Sequence, residues 1–265
     1  AEWLSTRGCG QDPRRVVAVQ ENTGRFGALR RAVELARGEF CAVWDSDDLL
    51  ASNALTIIAA ELHSLPTRSS SGRPVCGIMG LAMDRQGQTV GTEFPQPREP
   101  NNFMAIRADW KVQGDKKEVV RREVLVEAFE GLPAGQRRVP TSVMLNRIAR
   151  QYDVLPVNTP FVIKEYLDGG MTDRLDTIRR ESNLGSYIAY FERVESYALG
   201  CYRSRRYLWK ACANAWRYVL HGKSLERAAR LIRANLWASA VTLPVGIVLY
   251  GRDRLNTARA PQEAE

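Results

Sequence analysis

The sequence predicts an α/β fold with a mostly parallel sheet and a helical C-terminal extension. Three observations carry that expectation. Apolar runs of strand length alternate with stretches whose apolar residues recur at helical spacing. The order strand, helix, strand, helix early in the chain implies crossover connections, which favour parallel pairing. Near Gly200 the composition shifts towards arginine and aromatic residues.

Each element follows in order. Arg15–Val19 reads as a short strand. Phe26, Leu29, Val33 and Ala36 share one helical face, and Gly38 supplies a stop. Glu39–Trp44 is the next strand. Ala51–Leu65 is helical, with Leu55, Ile58, Ala59 and Leu62 inward. The stretch PTRSSSGRP (66–74) is a loop, VCGIMGLAMD (75–84) and TVGTEF (89–94) are strands, and PQPREPNN (95–102) is a second loop. Residues 112–128 carry dense charge around Val119, Val120, Val124 and Leu125, the pattern of a solvated amphipathic element. VPTSVMLNRIARQY (139–152) reads as a helix burying Val143, Leu145, Ile148 and Ala149. DVLPVNTPFVIKEYL (153–167) is strand-like, and Pro156 and Pro160 place it at an edge. DGGMTDRL (168–175) is a turn.

Composition narrows the chemistry. Two histidines, His63 and His221, nearly exclude a histidine-based triad or a histidine-rich metal centre. The cysteines at 9, 41, 76, 201 and 212 form no CxxC pair, which argues against a zinc site or a disulfide framework and for a reducing compartment. No N-terminal signal peptide is visible.

The cluster Asp45, Asp47 and Asp48 directly after an apolar run is the sharpest chemical signal. Carboxylates this close repel unless a positive charge sits among them. A divalent cation answers this. A helix N-terminus, where aspartates cap free N–H groups, answers it too. In parallel sheets ligands gather outside the carboxyl ends of strands, which favours the ligand reading. An EF-hand is excluded, because the required glycine is missing and Leu49-Leu50 follows.

The net charge of +8 lies wholly in residues 200–265, which hold 12 Lys/Arg against 4 Asp/Glu. Trp209, Trp216 and Trp237 interleave with arginines there, and residues 234–251 carry no charge. Eighteen uncharged residues reach only the lower limit for spanning a bilayer, and Asn235, Ser239, Thr242, Pro244 and Gly246 interrupt them. Residues 200–254 are therefore expected to associate with a membrane surface, drawn by anionic headgroups. A helical core, a partner protein and a basic nucleic-acid-binding surface are the alternatives. No motif supports nucleic acid, and none is expected as a partner.

The stretch ENTGRFGALRRAVELARGEFCAVWDSDD resembles the centre of the family 2 glycosyltransferases, through Asn22, Gly24, Ala36, Gly38, Phe40 and the D-x-D-D of residues 45–48. The similar parts cover roughly residues 10–175. GDKKEVVRREVL and RVPTSVMLNRIARQYDVLPVN resemble a subset found in surface-polysaccharide clusters. The resemblance implies a GT-A-like, Rossmann-like domain over residues 1–196 and a basic helical extension over 197–265. It implies Mn²⁺ or Mg²⁺ held by Asp45, Asp47 and Asp48, and a nucleotide-sugar donor (UDP- or GDP-sugar) near Asn22, Gly24 and Asp45. The implied acceptor is a glycan or a lipid-linked glycan in cell-envelope or capsule polysaccharide synthesis, handled at the cytoplasmic face of the membrane.

Two departures from the family pattern shape the expectation. The opening strands ending in P-x-Y-N and V-D-D-G-S are absent, so the domain is expected to be N-terminally incomplete and to expose a sheet edge. Gln136 and Thr141 stand where the subset carries carboxylates, and Asp115 is the substitute for the catalytic base. The processive motif Q-x-x-R-W is absent, favouring single additions. The competing expectation is a truncated, non-catalytic relative.

Overall fold

A computed structural model describes residues 16–132, 138–164 and 182–259. In chain order the elements are α1 (Gly24–Leu35), β1 (Phe40–Ala42), β2 (Leu49–Leu50), α2 (Ala54–His63), β3 (Val75–Met83) and α3 (Phe103–Ala108). Then come β4 (Lys116–Arg121), α4 (Arg122–Phe129), α5 (Ser142–Ile148), β5 (Asp153–Ile163), α6 (Asn183–Ala198), α7 (Arg205–Gly222), α8 (Leu225–Ala234) and α9 (Leu236–Arg259).

The fold is α/β, but the sheet is mixed and not mostly parallel. Its order is β1-β4-β3-β5-β2. Among the described residues only β3 and β5 pair in parallel, while β1 with β4, β3 with β4, and β2 with β5 are antiparallel. The cause is β4. The charged stretch expected to be a solvated amphipathic element instead inserts between β1 and β3 as a strand before turning into α4. Its lysines are not solvated: Lys116 and Lys117 are buried.

Pleating divides the core. Ile78, Ala82, Val119, Phe161 and Val162 face α2 through Ile58. Met79, Leu81, Val120 and Val154 face the layer of helices that follows. Strand β5 carries both prolines in parallel pairing with β3, where Met79 lies opposite Pro156 and Leu81 opposite Pro160. Two of the three register shifts in that ladder fall at the prolines, which lack N–H donors. β5 is not the edge strand expected: it lies between β3 and β2, with β2 on Val162 and Ile163, while its first half bonds to the loop before α3, where Asn101 bridges Val154 and the Arg98 N–H donates to the Pro156 carbonyl.

Several local expectations change. Residues 16–20 form no strand, and Val16, Val17 and Val19 are exposed. Branched residues favour a strand only where a neighbour offers a ladder. Residues 89–94 give an isolated bridge, Met83 to Thr89, and no strand. Helix α2 is turned from its expected face: Ala54, Ile58 and Glu61 are buried, while Leu55 is 63% exposed. Glu61 is drawn inward by a bidentate pairing with Arg98. α5 buries Val143, Ile148 and Ala149 as expected, with Leu145 half-buried. The turn expected at 168–175 lies outside the described residues.

The expected boundary at 196/197 falls inside α6, and residues on both sides of it pack in one apolar core with α7. No helix among the described residues is long and apolar enough to cross a membrane.

Candidate functional site

Because β4 runs against β1 and β3, its amino end meets the carboxyl ends of β1, β3 and β5 at one rim of the sheet. Residues around 45, 117 and 164 therefore converge, although they are far apart in sequence.

After β1 the chain makes a tight turn in which the Asp48 N–H donates to the Asp45 carbonyl at 3.1 Å. The turn exposes Asp47 at its tip and drives Asp48 inward, leaving the Asp48 side chain 1% exposed. Asp48 meets two ammonium groups, Lys117 Nζ at 2.5 Å and Lys164 Nζ at 3.0 Å. Burial pushes its carboxyl up, but the hydrogen bonds and charges of the two lysines outweigh burial and hold it below the usual carboxylate range. Lys164 answers in kind. Burial pushes its ammonium down, and Asp48, Asp115 and Asp45 together carry it above the ordinary lysine value.

Asp45 lies on the rim with its side chain 31% exposed. It pairs with Arg25 from the first turn of α1, and with Lys117 and Lys164, each at 3.5 Å. The Arg25 contact brings the start of α1 to the aspartates. There the Asn22 side-chain oxygen accepts from the Gly24 N–H at 3.0 Å, and Gly24 takes φ +79°, which glycine adopts without strain. Asp115, at the approach to β4, is 53% exposed and stands 3.5 Å from Lys164.

The structure thus gathers Asn22, Gly24, Asp45, Asp47, Asp48 and Asp115 around one rim, with Lys117 and Lys164 among the carboxylates. Of the two positions where carboxylates were sought, Gln136 lies outside the described residues and Thr141 precedes α5 without a side-chain capping bond.

A family model decides what this rim resembles. The model for glycosyl transferase family 2 matches residues 4–127. The matched stretch contains all six expected site residues and Lys117. Lys164 and helices α5–α9 lie beyond it. The match supports a family 2 glycosyltransferase, and with it sugar transfer between a nucleotide-sugar donor and an acceptor in general terms. A search of curated proteins gives no match.

Among the described residues no three His, Cys, Asp or Glu side chains are grouped to hold a metal by themselves. The donor set still suits a cation that arrives with a diphosphate, since such ions need only one or two carboxylates plus phosphate oxygens. Asp45 and Asp47 have the exposure for that role. Asp48 could join only if a lysine left it.

Sequence reasoning missed Arg25, Lys117 and Lys164. Arg25 follows Asn22 within the turn that was singled out, and Lys117 needed recognition of β4 as a strand. Lys164 had one signal, its place just past the carboxyl end of a strand.

Proposed function

We propose that the chain transfers a sugar from a UDP- or GDP-sugar to a glycan or lipid-linked acceptor of cell-envelope or capsule synthesis, peripheral to the cytoplasmic face of the membrane. The observation that supports this most is the convergence of Arg25, Asp45, Asp47 and Asp115 on one rim within the matched segment. When bound, Mn²⁺ or Mg²⁺ would be held by Asp45 and Asp47 and would neutralise charge on the leaving diphosphate.

The chain's own groups set the rest. Arg25 and the amino end of α1 bring positive potential to the side of Asp45 where Asn22 and Gly24 lie. Lys117 and Lys164 clamp Asp48, which fixes the turn and therefore the positions of Asp45 and Asp47. Asp115 is an exposed carboxylate of the cluster, on a different segment from the aspartate turn, and would take the proton from the acceptor hydroxyl. The Trp44 indole N–H, next in sequence to Asp45, is buried and finds no hydrogen-bond partner among the described residues.

One observation favours a binding-only relative: two lysines already neutralise the carboxylates that a cation would serve. Calorimetric titration with UDP and with GDP, with and without Mn²⁺, separates the readings. Metal-dependent binding followed by turnover of a nucleotide sugar supports transfer. Binding without turnover supports the relative, and no binding by folded protein refutes the donor site.

A further inference from the structure

Helix α9 is inside out. It runs alongside α7, with Cys212 against Ser239 at one end and His221 against Asp253 at the other. The fully buried positions on the side facing α7 are small or polar, with Leu243 and Tyr250 half-buried at its margins. Ser239, Thr242 and Asp253 are buried there, and Asp253 forms a bidentate ion pair with Arg217. Gly246 sits so close to α7 that a Cβ would come within 2.4 Å of the Trp216 Cβ.

The side facing away is apolar. Trp237, Val241, Val245 and Val248 follow one another at positions i, i+4, i+8 and i+11, a single stripe, and Trp237 is 81% and Val248 70% exposed. A water-facing helix has the reverse arrangement. An exposed apolar stripe of this length marks a surface that something covers.

Charge identifies the occupant. The stripe carries no charge, and exposed cations bound it: Arg233 before it, Arg252 and Arg254 after it. At the Cys212–Ser239 end, α7 adds exposed Trp209 and Lys210 one turn earlier. A second copy of the chain fits poorly. Paired parallel or antiparallel, two such helices would set cations against cations at both ends. An anionic, partly apolar surface fits both features at once. Leu236 to Gly251 spans about 24 Å as helix, short of the ~30 Å of a bilayer core, so the helix cannot cross and must lie flat.

We propose that α9 docks in the plane of an anionic lipid surface, its outward stripe among the upper acyl chains and the bounding arginines on the headgroup phosphates. This deepens the membrane side of the proposed function, but it stands on helix packing and not on sugar transfer.

The test uses the full chain and two vesicle preparations, phosphatidylcholine alone and phosphatidylcholine with one quarter phosphatidylglycerol. The wild type sediments with the anionic vesicles and not with the neutral ones. Brominated lipid quenches its tryptophan fluorescence, and Trp237→Phe removes most of that quenching. The double variant Val241→Asp with Val248→Asp alters only exposed positions, keeps its helical circular dichroism and its donor titration, and binds vesicles more than about tenfold more weakly. The inference is overturned if the wild type ignores anionic vesicles or if the double variant sediments like the wild type. A dimer seen by sedimentation velocity and abolished by the double variant, without vesicle binding, overturns it in favour of self-association. Donor binding is read separately, so failure of either inference is visible without the other.

Discussion

Lys117 and Asp48 form an ion pair closed to water from both sides, their side chains 9% and 1% exposed. Removing one member of a buried pair leaves the other charge stranded and costs about 3–5 kcal/mol. Lys164 remains beside Asp48 and shields it, so Lys117→Met is expected to lose about 3 kcal/mol. Urea unfolding measures this, and a loss under about 1 kcal/mol would show that the pair is more hydrated than its burial implies.

The aspartates of the turn should separate by role. Asp47→Ala alters an exposed tip and should shift stability by no more than about 0.5 kcal/mol, while metal-dependent donor binding disappears. Asp48→Ala should destabilise the protein, because two largely buried ammonium groups lose their nearest counter-ion and keep only carboxylates at 3.5 Å. Thermal melting and calorimetric titration of both variants check this. Unchanged donor affinity in Asp47→Ala would sink the metal role of that residue.

Stability should respond to pH from two directions. Burial raises the carboxyls of Asp48 and Asp253, but their lysine, arginine and histidine partners win and hold both below the ordinary 3.8. Their contribution is complete above that value and is lost as pH falls through the depressed folded values. Glu118 goes the other way. Burial pushes it from 4.5 to about 7, against the pull of Arg107. Its contribution is complete below 4.5 and is lost as pH rises through 7. Glu118→Gln should therefore gain on the wild type steadily from about pH 5 to pH 8 in denaturation profiles. Parallel profiles would contradict the assignment.

Gly246→Ala sets two effects against each other. Alanine improves helix propensity by about 1 kcal/mol. The added Cβ meets the Trp216 Cβ at 2.4 Å and the Ala213 carbonyl at 3.1 Å, neither of which is the far end of a flexible side chain. Overpacking of this kind costs about 1–3 kcal/mol, so a net loss is expected on thermal unfolding. A gain would mean that α9 can stand off α7 freely.

Periodicity exposed much of this architecture. Helices α1, α2 and α5, and strands β1, β3 and β5, all lie within their expected stretches. What local pattern could not show was direction. The lysines of KKEVVR read as solvated because charge usually marks a surface. Here one of them, Lys117, is buried because the Asp45 and Asp48 carboxylates wait 70 residues away in the chain. The same blindness hid Lys164, whose partners are all remote. The aspartate cluster itself was legible, because adjacent like charges demand a counter-charge whatever the fold. The nature of that counter-charge was not. In the structure it takes the form of the Arg25 guanidinium and the Lys117 and Lys164 ammonium groups, and a cation that comes with the donor would add to it. The stop of α1 came two residues before Gly38, with the Ala36 N–H closing the last turn on Ala32.

The inverted polarity of α9 also bears on how its sequence can vary. Outward positions such as Val241, Val245 and Val248 are more than half exposed, so they can exchange among aliphatic and aromatic residues. Lysine or aspartate there would be rejected. Inward positions such as Ser239 and Gly246 are limited by size, and a larger apolar residue would be excluded as firmly as a charge is on the outside. Relatives that share this docking would carry a helix whose variable face is greasy and whose invariant face is small, the reverse of the pattern that normally separates a protein's exterior from its core.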